Sequence, residues 1–244
     1  MCGRYTRFAA TELIYKHFGI RTPRAEPPTA DPPPSWNVAP QTMQPVIRLN
    51  PETGEREMVL MRWGLVPFFA ESPLFNYATI NARAETLLTK PAFREPFRRR
   101  RCLVPINSYF EWQVLDPKKK TKQPWAIELK TEEPFALGGI WERWVSPDKQ
   151  VELESYSIIT TETNELLAPL HDRMPLIIAP RDYQRWLEPG NPQRPPVDLL
   201  RPFDADLMKI WRVKPDVGNV RNNRPDLIDP YNPPADPSGS PRLF

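Results

Sequence analysis

The sequence predicts a single α+β domain whose core is a curved, largely antiparallel β-sheet or open barrel, with short helices flanking it. Three observations lead there. At 244 residues the chain is long enough to bury one sizeable core. A series of short β-branched and aromatic runs, each bounded by turn residues, fills its middle. Amphipathic stretches with helix start and stop residues lie on either side of that series.

In chain order, Thr11 to Phe18 places Leu13, Ile14, His17 and Phe18 on one helical stripe, and Gly19 supplies a stop. Arg21 to Ser35 is proline-dense without an apolar period, which reads as an extended surface insertion. Val59–Gly64, Arg101–Trp112, Trp125–Lys130, Phe135–Trp144 and Glu154–Thr161 read as strands. Asn164 can cap a helix carrying Leu166, Leu167 and Leu170, and Pro180 can open another carrying Tyr183, Trp186 and Leu187. After Asn223 the composition turns to Pro, Asp, Asn and Ser, so the domain is expected over residues 1–230 with a loose tail over 231–244.

Composition excludes several classes. No apolar run approaches the roughly 20 residues of a bilayer span, and no basic-then-apolar leader opens the chain. Two cysteines and two histidines make neither a disulfide framework nor a cluster at zinc spacing, so no metal or cofactor is expected. There is no glycine-rich phosphate loop. A net charge of +3 is too small to hold nucleic acid by bulk attraction, so such binding must rest on particular residues. The basic runs Arg98–Arg101 and Lys118–Lys120 with Lys122 read as solvated loops flanking strands.

The chain opens Met1-Cys2-Gly3-Arg4. A small second residue allows the initiator to be removed, which leaves an α-amine beside the Cys2 thiol. Such a 1,2-aminothiol condenses with aldehydes, first as a Schiff base at nitrogen and then as a thiazolidine ring closed by sulfur. As a bare dipeptide, Cys2 is more often an ordinary small residue. Asn81 and Arg83 are polar groups in an otherwise buried-looking run, which costs free energy unless they have partners or a task. Glu111 stands between Phe110 and Trp112 at the end of an apolar strand, a setting suited to proton transfer. His171 precedes Asp172-Arg173-Met174-Pro175 at a helix-to-strand junction, where side chains are often presented to a cleft. Cys102 reads as an ordinary core residue.

Taken together, MCGRY, NVAP at 37–40, WGLVP at 63–67, NARAET at 81–86, FEW at 110–112, HDRMP at 171–175 and VGNVRNN at 217–223 resemble, in order and spacing, the SRAP family of abasic-site processing proteins. The resemblance spans residues 1 to about 230. It implies a protein that recognises abasic sites in single-stranded DNA and crosslinks to them through Cys2, with Asn81, Glu111 and His171 as the supporting catalytic residues. It also implies DNA contacts at Arg4, Asn37, Arg83, Thr160, Arg173, Arg221 and Asn222, with Trp63 on the DNA-facing surface. Where members often carry tryptophan as a wedge against the bases, this chain has Phe68-Phe69, which can still stack. Replication-fork proteins are further candidate partners, no membrane is involved, and the protein is expected to be a monomer. Its address is intracellular: nuclear in a eukaryotic source, cytoplasmic or nucleoid in a bacterial one. Two alternatives stay open at this stage. One is an N-terminal-nucleophile cysteine amidohydrolase or peptidase, the other a non-covalent single-stranded DNA-binding module.

Overall fold

The computed structural model describes residues 2–21, 32–74, 77–116, 118 and 121–232. Most of the proline-rich insertion (22–31), Lys119 and Lys120, and the tail from 233 onward lie outside the described residues. In chain order the elements are β1 (Tyr5–Arg7), α1 (Thr11–Phe18), β2 (Ser35–Val38), β3 (Met43–Leu49), β4 (Arg56–Trp63), β5 (Asn81–Arg83), α2 (Pro91–Arg99), β6 (Arg101–Ile106), β7 (Ser108–Asp116), β8 (Thr121–Leu129), β9 (Phe135–Val145), β10 (Glu152–Glu162), β11 (Arg173–Pro175), β12 (Ile177–Ile178), α3 (Tyr183–Leu187) and β13 (Met208–Arg212). Among the described residues no helix is long and apolar enough to cross a membrane.

The strands make two sheets. In the first, β4 pairs β3, β3 pairs β6, β6 pairs β9, β9 pairs β10, and β10 returns to β4, so the sheet curls into a closed five-stranded barrel. Only the contacts of β10 with β4 and β5 are parallel among the pairs of this sheet. The second sheet runs β13-β8-β7-β1-β2 and is antiparallel throughout. The α+β class with a curved, mostly antiparallel core is therefore what the chain adopts, and closure removes most of the unpaired edges of the first sheet.

Alternation along each barrel strand feeds two cores. Val46, Val104, Leu137 and Ile158 pack in one cluster with Cys2, Tyr5, Trp63, Tyr109 and Tyr156. Their neighbours Ile47, Leu103, Ala136 and Ile159 pack in another against all three helices, through Phe18, Phe97 and Trp186. β6 is buried along its whole length, which is why its sequence runs apolar without alternating. A third, smaller cluster lies on the far side of β7, where Phe110 and Ala126 meet Val213, Val217 and Leu227.

Several elements differ from expectation for identifiable reasons. The buried stripe of α1 is Ile14, Tyr15 and Phe18, while Leu13 faces outward; Gly19, at φ 63°, ends the helix as expected. The run Arg101–Trp112 is two strands rather than one. Asn107 breaks it by accepting the Phe8 and Ala9 backbone N–H groups (2.8 and 3.0 Å), which turns the chain away. After Asn164 the chain forms successive turns instead of a helix: the Asn164 side chain accepts the Leu167 N–H at 3.1 Å, but Pro169 has no N–H to continue a ladder.

Arg98–Arg101 is not a solvated loop. Arg98 and Arg99 end α2 beside Glu95, and Arg101 is buried. Its guanidinium donates to the carbonyls of Phe97 (2.7 Å), Arg98 (3.0 Å), Trp186 (2.6 Å) and Glu188, closing the C-terminal ends of α2 and α3 together. Burial lowers its pKa to about 10. Arg101→Met leaves those carbonyls without a donor and is expected to cost about 3 kcal/mol, read as a lower urea midpoint with an unchanged slope.

Candidate active site around the N-terminal cysteine

Cys2 leads through Gly3 and Arg4 into β1, whose Tyr5 and Thr6 pair with Tyr109 and Ser108 of β7. Phe110 N–H donates to Arg4 O at 3.0 Å, so the start of the chain is stitched along β7 toward Glu111. From the barrel side, β5 lies against β10 with Asn81 opposite Ile158, and Asn81 Nδ2 donates to Cys2 O at 2.8 Å. Two sheets thus converge on the first residues of the chain. Asn81 Oδ1 is buried with no partner among the described residues, an acceptor left beside Cys2.

Glu111 is buried on β7, and its Oε1 accepts the Trp112 N–H at 3.3 Å. Phe110 and Trp112 flank it in sequence only. The period of two sends them to the third cluster on the opposite face of the sheet, while Tyr109, two residues back, shares the face of Glu111. Tyr109 was not singled out from sequence, although that same spacing was its signal. Its hydroxyl is buried with no partner among the described residues, and burial, with the nearby Cys2 and Glu111, pushes its pKa well up.

The Cys2 thiol is fully buried. Burial pushes its pKa up to about 12, and the Glu111 carboxylate pushes the same way. With Met1 attached the thiol is therefore a neutral S–H at physiological pH and stays so well above the ordinary cysteine value near 8.5. Alkylation of Cys2 by iodoacetamide in the folded protein, followed by mass spectrometry, is expected to accelerate through pH 9 and above without levelling. A plateau near the free-thiol value contradicts this, since thiolate is the reactive form.

His171 follows the turns at 165–170 and leads into β11. Its Nδ1 accepts the Arg173 N–H at 3.0 Å, which orients the ring, and lies 2.7 Å from Asp172 Oδ1. Leu167 and Leu170 of those turns pack in the cluster that holds Cys2, and Gln113 of β7 reaches Pro169 O at 3.4 Å. The turn carrying His171 is thereby drawn alongside β7 at Gln113.

A groove of about 540 Å³, the size of a small-ligand site, runs beside Cys2 and is lined by Gly3, Arg4, Asn37, Pro40, Ile80 and Val220 among others. Arg4 stands at its rim, held by Asn37 Oδ1 (2.9 Å) and the carbonyls of Val217 and Gly218. Asn37 is buried and spent on structure: its Nδ2 donates to the carbonyls of Val217, Asn219 and Asn222, pinning the segment that carries Arg221 and Asn222. Arg221 is exposed, and Asn222 donates to Asp216 O at 2.8 Å. Arg83 is exposed at the end of β5. Arg173 is held by both oxygens of Glu85 (2.8 and 3.0 Å) and by Thr160 O (2.6 Å). Thr160 itself is fully buried, so its side chain faces the interior rather than a ligand.

Trp63 requires a correction. It is fully buried, its indole N–H donates to Ile80 O at 3.0 Å, and its ring stacks on Tyr156 and leans on Tyr5. So large an apolar surface is retained by the core, and Trp63 forms the floor under the site rather than a DNA-facing surface. Among the described residues the exposed aromatics are Phe68 and Phe69, 60% and 54% accessible, set edge to face at 5.3 Å. The bond from Gln41 N–H to Trp63 O joins the start of their loop to the groove wall at Pro40 and Thr42.

A closed barrel that buries Cys2 near an asparagine and a glutamate, next to a groove with an arginine at its rim, defines a β-barrel protein with a candidate cysteine site near the start of its chain. The chain belongs to the SRAP family, SOS response associated peptidase, which it matches over residues 1–220. It is similar to abasic site processing protein YoqW of Bacillus subtilis (strain 168), 39% identical over 232 residues covering 95% of this chain and 100% of that protein. It is also similar to abasic site processing protein HMCES of Mus musculus, 30% identical over 272 residues, 94% of this chain and 76% of that one. A crystal structure of a protein from Bacteroides thetaiotaomicron superposes with a TM-score of 0.82 at 28% identity, covering 95% of this chain and all of the other.

Proposed function

We propose that this protein captures abasic sites in single-stranded DNA as a covalent thiazolidine formed by Cys2 after Met1 is removed. The observation that carries the reading is the burial of Cys2 against Asn81 and Glu111 at the side of an arginine-rimmed groove. Family membership and the names of the relatives support DNA with abasic sites as the target.

Sulfur closes the ring on an iminium, so the α-amine attacks C1′ of the ring-opened sugar first and the thiol, buried and neutral while Met1 is attached, follows. Asn81 Oδ1 is the acceptor that orients that amine. Glu111, as the carboxylate, takes a proton from the α-ammonium as it becomes the nucleophilic amine and gives that proton to the carbinolamine hydroxyl, which leaves as water and generates the iminium. Glu111 then takes the proton of the thiol as sulfur adds to the iminium carbon, and passes it to solvent. One C–N and one C–S bond form, the aldehyde C=O is lost as one water, and Glu111 ends as it began. His171 serves the sugar oxygen or a phosphate as a donor. Arg4, Arg83 and Arg221 offer guanidinium groups to backbone phosphates, and Phe68 and Phe69 a surface for stacking. The amidohydrolase alternative needs the thiol as first nucleophile, which its high pKa disfavours.

The test is a denaturing gel of the Met1-processed protein with a single-stranded oligonucleotide carrying one abasic site. A band that resists heat and detergent is expected with that strand and absent with an intact one. No such band, with Met1 removal verified by mass, overturns the reading.

A further inference from the structure

The register of the second sheet lines up three side chains that lead away from Cys2. Glu111 on β7 is opposite Trp125 on β8, and Trp125 is opposite Arg212 on β13. Directly opposed residues share a face, and neighbouring strands lie about 4.8 Å apart, so Arg212 stands roughly 10 Å from Glu111 on the same surface. The Arg212 guanidinium carbon lies 5.1 Å from the Trp125 ring centroid. Trp125 is itself held by Gln113, whose Oε1 accepts the indole N–H at 3.1 Å. Trp125, Gln113 and Arg212 are all half-exposed. Arg48, Arg143 and Arg173 are each tied to carboxylates, whereas Arg212 has no ion-pair partner among the described residues.

We propose that Gln113, Trp125 and Arg212 form a subsite for the nucleotide adjoining the reacting sugar, with its phosphate on Arg212 and its base against the stacked guanidinium and indole. This rests on the abasic-site reading above. The chemistry suits one nucleotide: a planar guanidinium free to fork onto phosphate oxygens, and an indole whose stacking tolerates any base. The subsite lies across Glu111 from the start of the chain, so it holds the strand on one side of the lesion only. Its contribution is to binding and polarity rather than to bond making.

The test uses three oligonucleotides carrying one abasic residue, with flanking nucleotides on both sides, on the 5′ side only, or on the 3′ side only. Arg212→Gln is expected to raise the half-saturating concentration about tenfold for the two-sided strand and for one of the one-sided strands. The limiting crosslinking rate stays as in wild type, and the strand lacking that flank is unaffected. Trp125→Phe, which keeps an aromatic ring in the sheet, is expected to follow the same pattern more weakly. Equal loss on all three strands, or loss on none, overturns the subsite. Anisotropy with an intact strand and no crosslinking separates this from the parent reading. If wild type forms no crosslink yet Arg212→Gln weakens that binding about tenfold, the covalent mechanism fails and the subsite stands. If binding is unchanged, the subsite falls.

Discussion

Cys2→Ser is expected to reduce the heat- and detergent-resistant complex with an abasic strand to background while leaving salt-sensitive binding of that strand within about twofold of wild type, because phosphate contacts do not involve the thiol. The variant keeps the α-amine, so the Schiff base still forms. A hydroxyl closes only a labile oxygen ring, and the iminium hydrolyses on denaturation. Adding borohydride before denaturation is therefore expected to recover a complex with Cys2→Ser. Cys2→Ala gives the same pair of results, which separates loss of sulfur from any new role of the serine hydroxyl. Retention of a stable complex without borohydride would remove sulfur from the account. The change from thiol to hydroxyl in a fully buried site is small in volume, so the fold is expected to persist.

Glu111→Gln is expected to slow crosslinking by roughly 10²- to 10⁴-fold, the usual contribution of a positioned proton-transfer group, with DNA binding preserved. The amide matches the carboxylate in shape and can still accept the Trp112 N–H through its oxygen. What it lacks is the ability to give a proton to the departing hydroxyl and take one from a thiol that burial holds in the neutral form. The single-turnover rate on a gel time course checks this. A rate within threefold of wild type would show that solvent or another group carries the protons. An equal loss of binding would instead assign Glu111 a structural role.

The strands β4 and β6 to β10 were legible because their β-branched and aromatic runs are bounded by turn residues, whereas β3 and β13 were not read; α1 was legible because an amphipathic stretch ends at a glycine in the left-handed region. What failed to read did so for local reasons. α2 contains Pro91 at its start and Pro96 within it, which masks a helix that Phe93 and Phe97 nonetheless anchor in the core. The break at Asn107 depends on the backbone of Phe8 and Ala9, far away in sequence. At the site, Cys2, Asn81 and Glu111 were found as types and motifs, and the fold brings them together. Trp63, Asn37 and Thr160 are buried where a DNA-facing role was expected, because motif membership carries no information about which way a side chain faces, and Arg101, read as part of a solvated charge run, caps two helices. Tyr109 was missed although it is two residues from Glu111 on the same face.

The most direct measurement is the intact mass of the denatured complex, combined with iodoacetamide treatment of the same sample. Thiazolidine formation predicts the mass of protein plus abasic strand less one water, with Cys2 resistant to alkylation and Cys102 modified. A complex of that mass whose Cys2 is freely alkylated would mean that reaction stops at the Schiff base. A complex retaining the water would place the bond elsewhere and contradict the account.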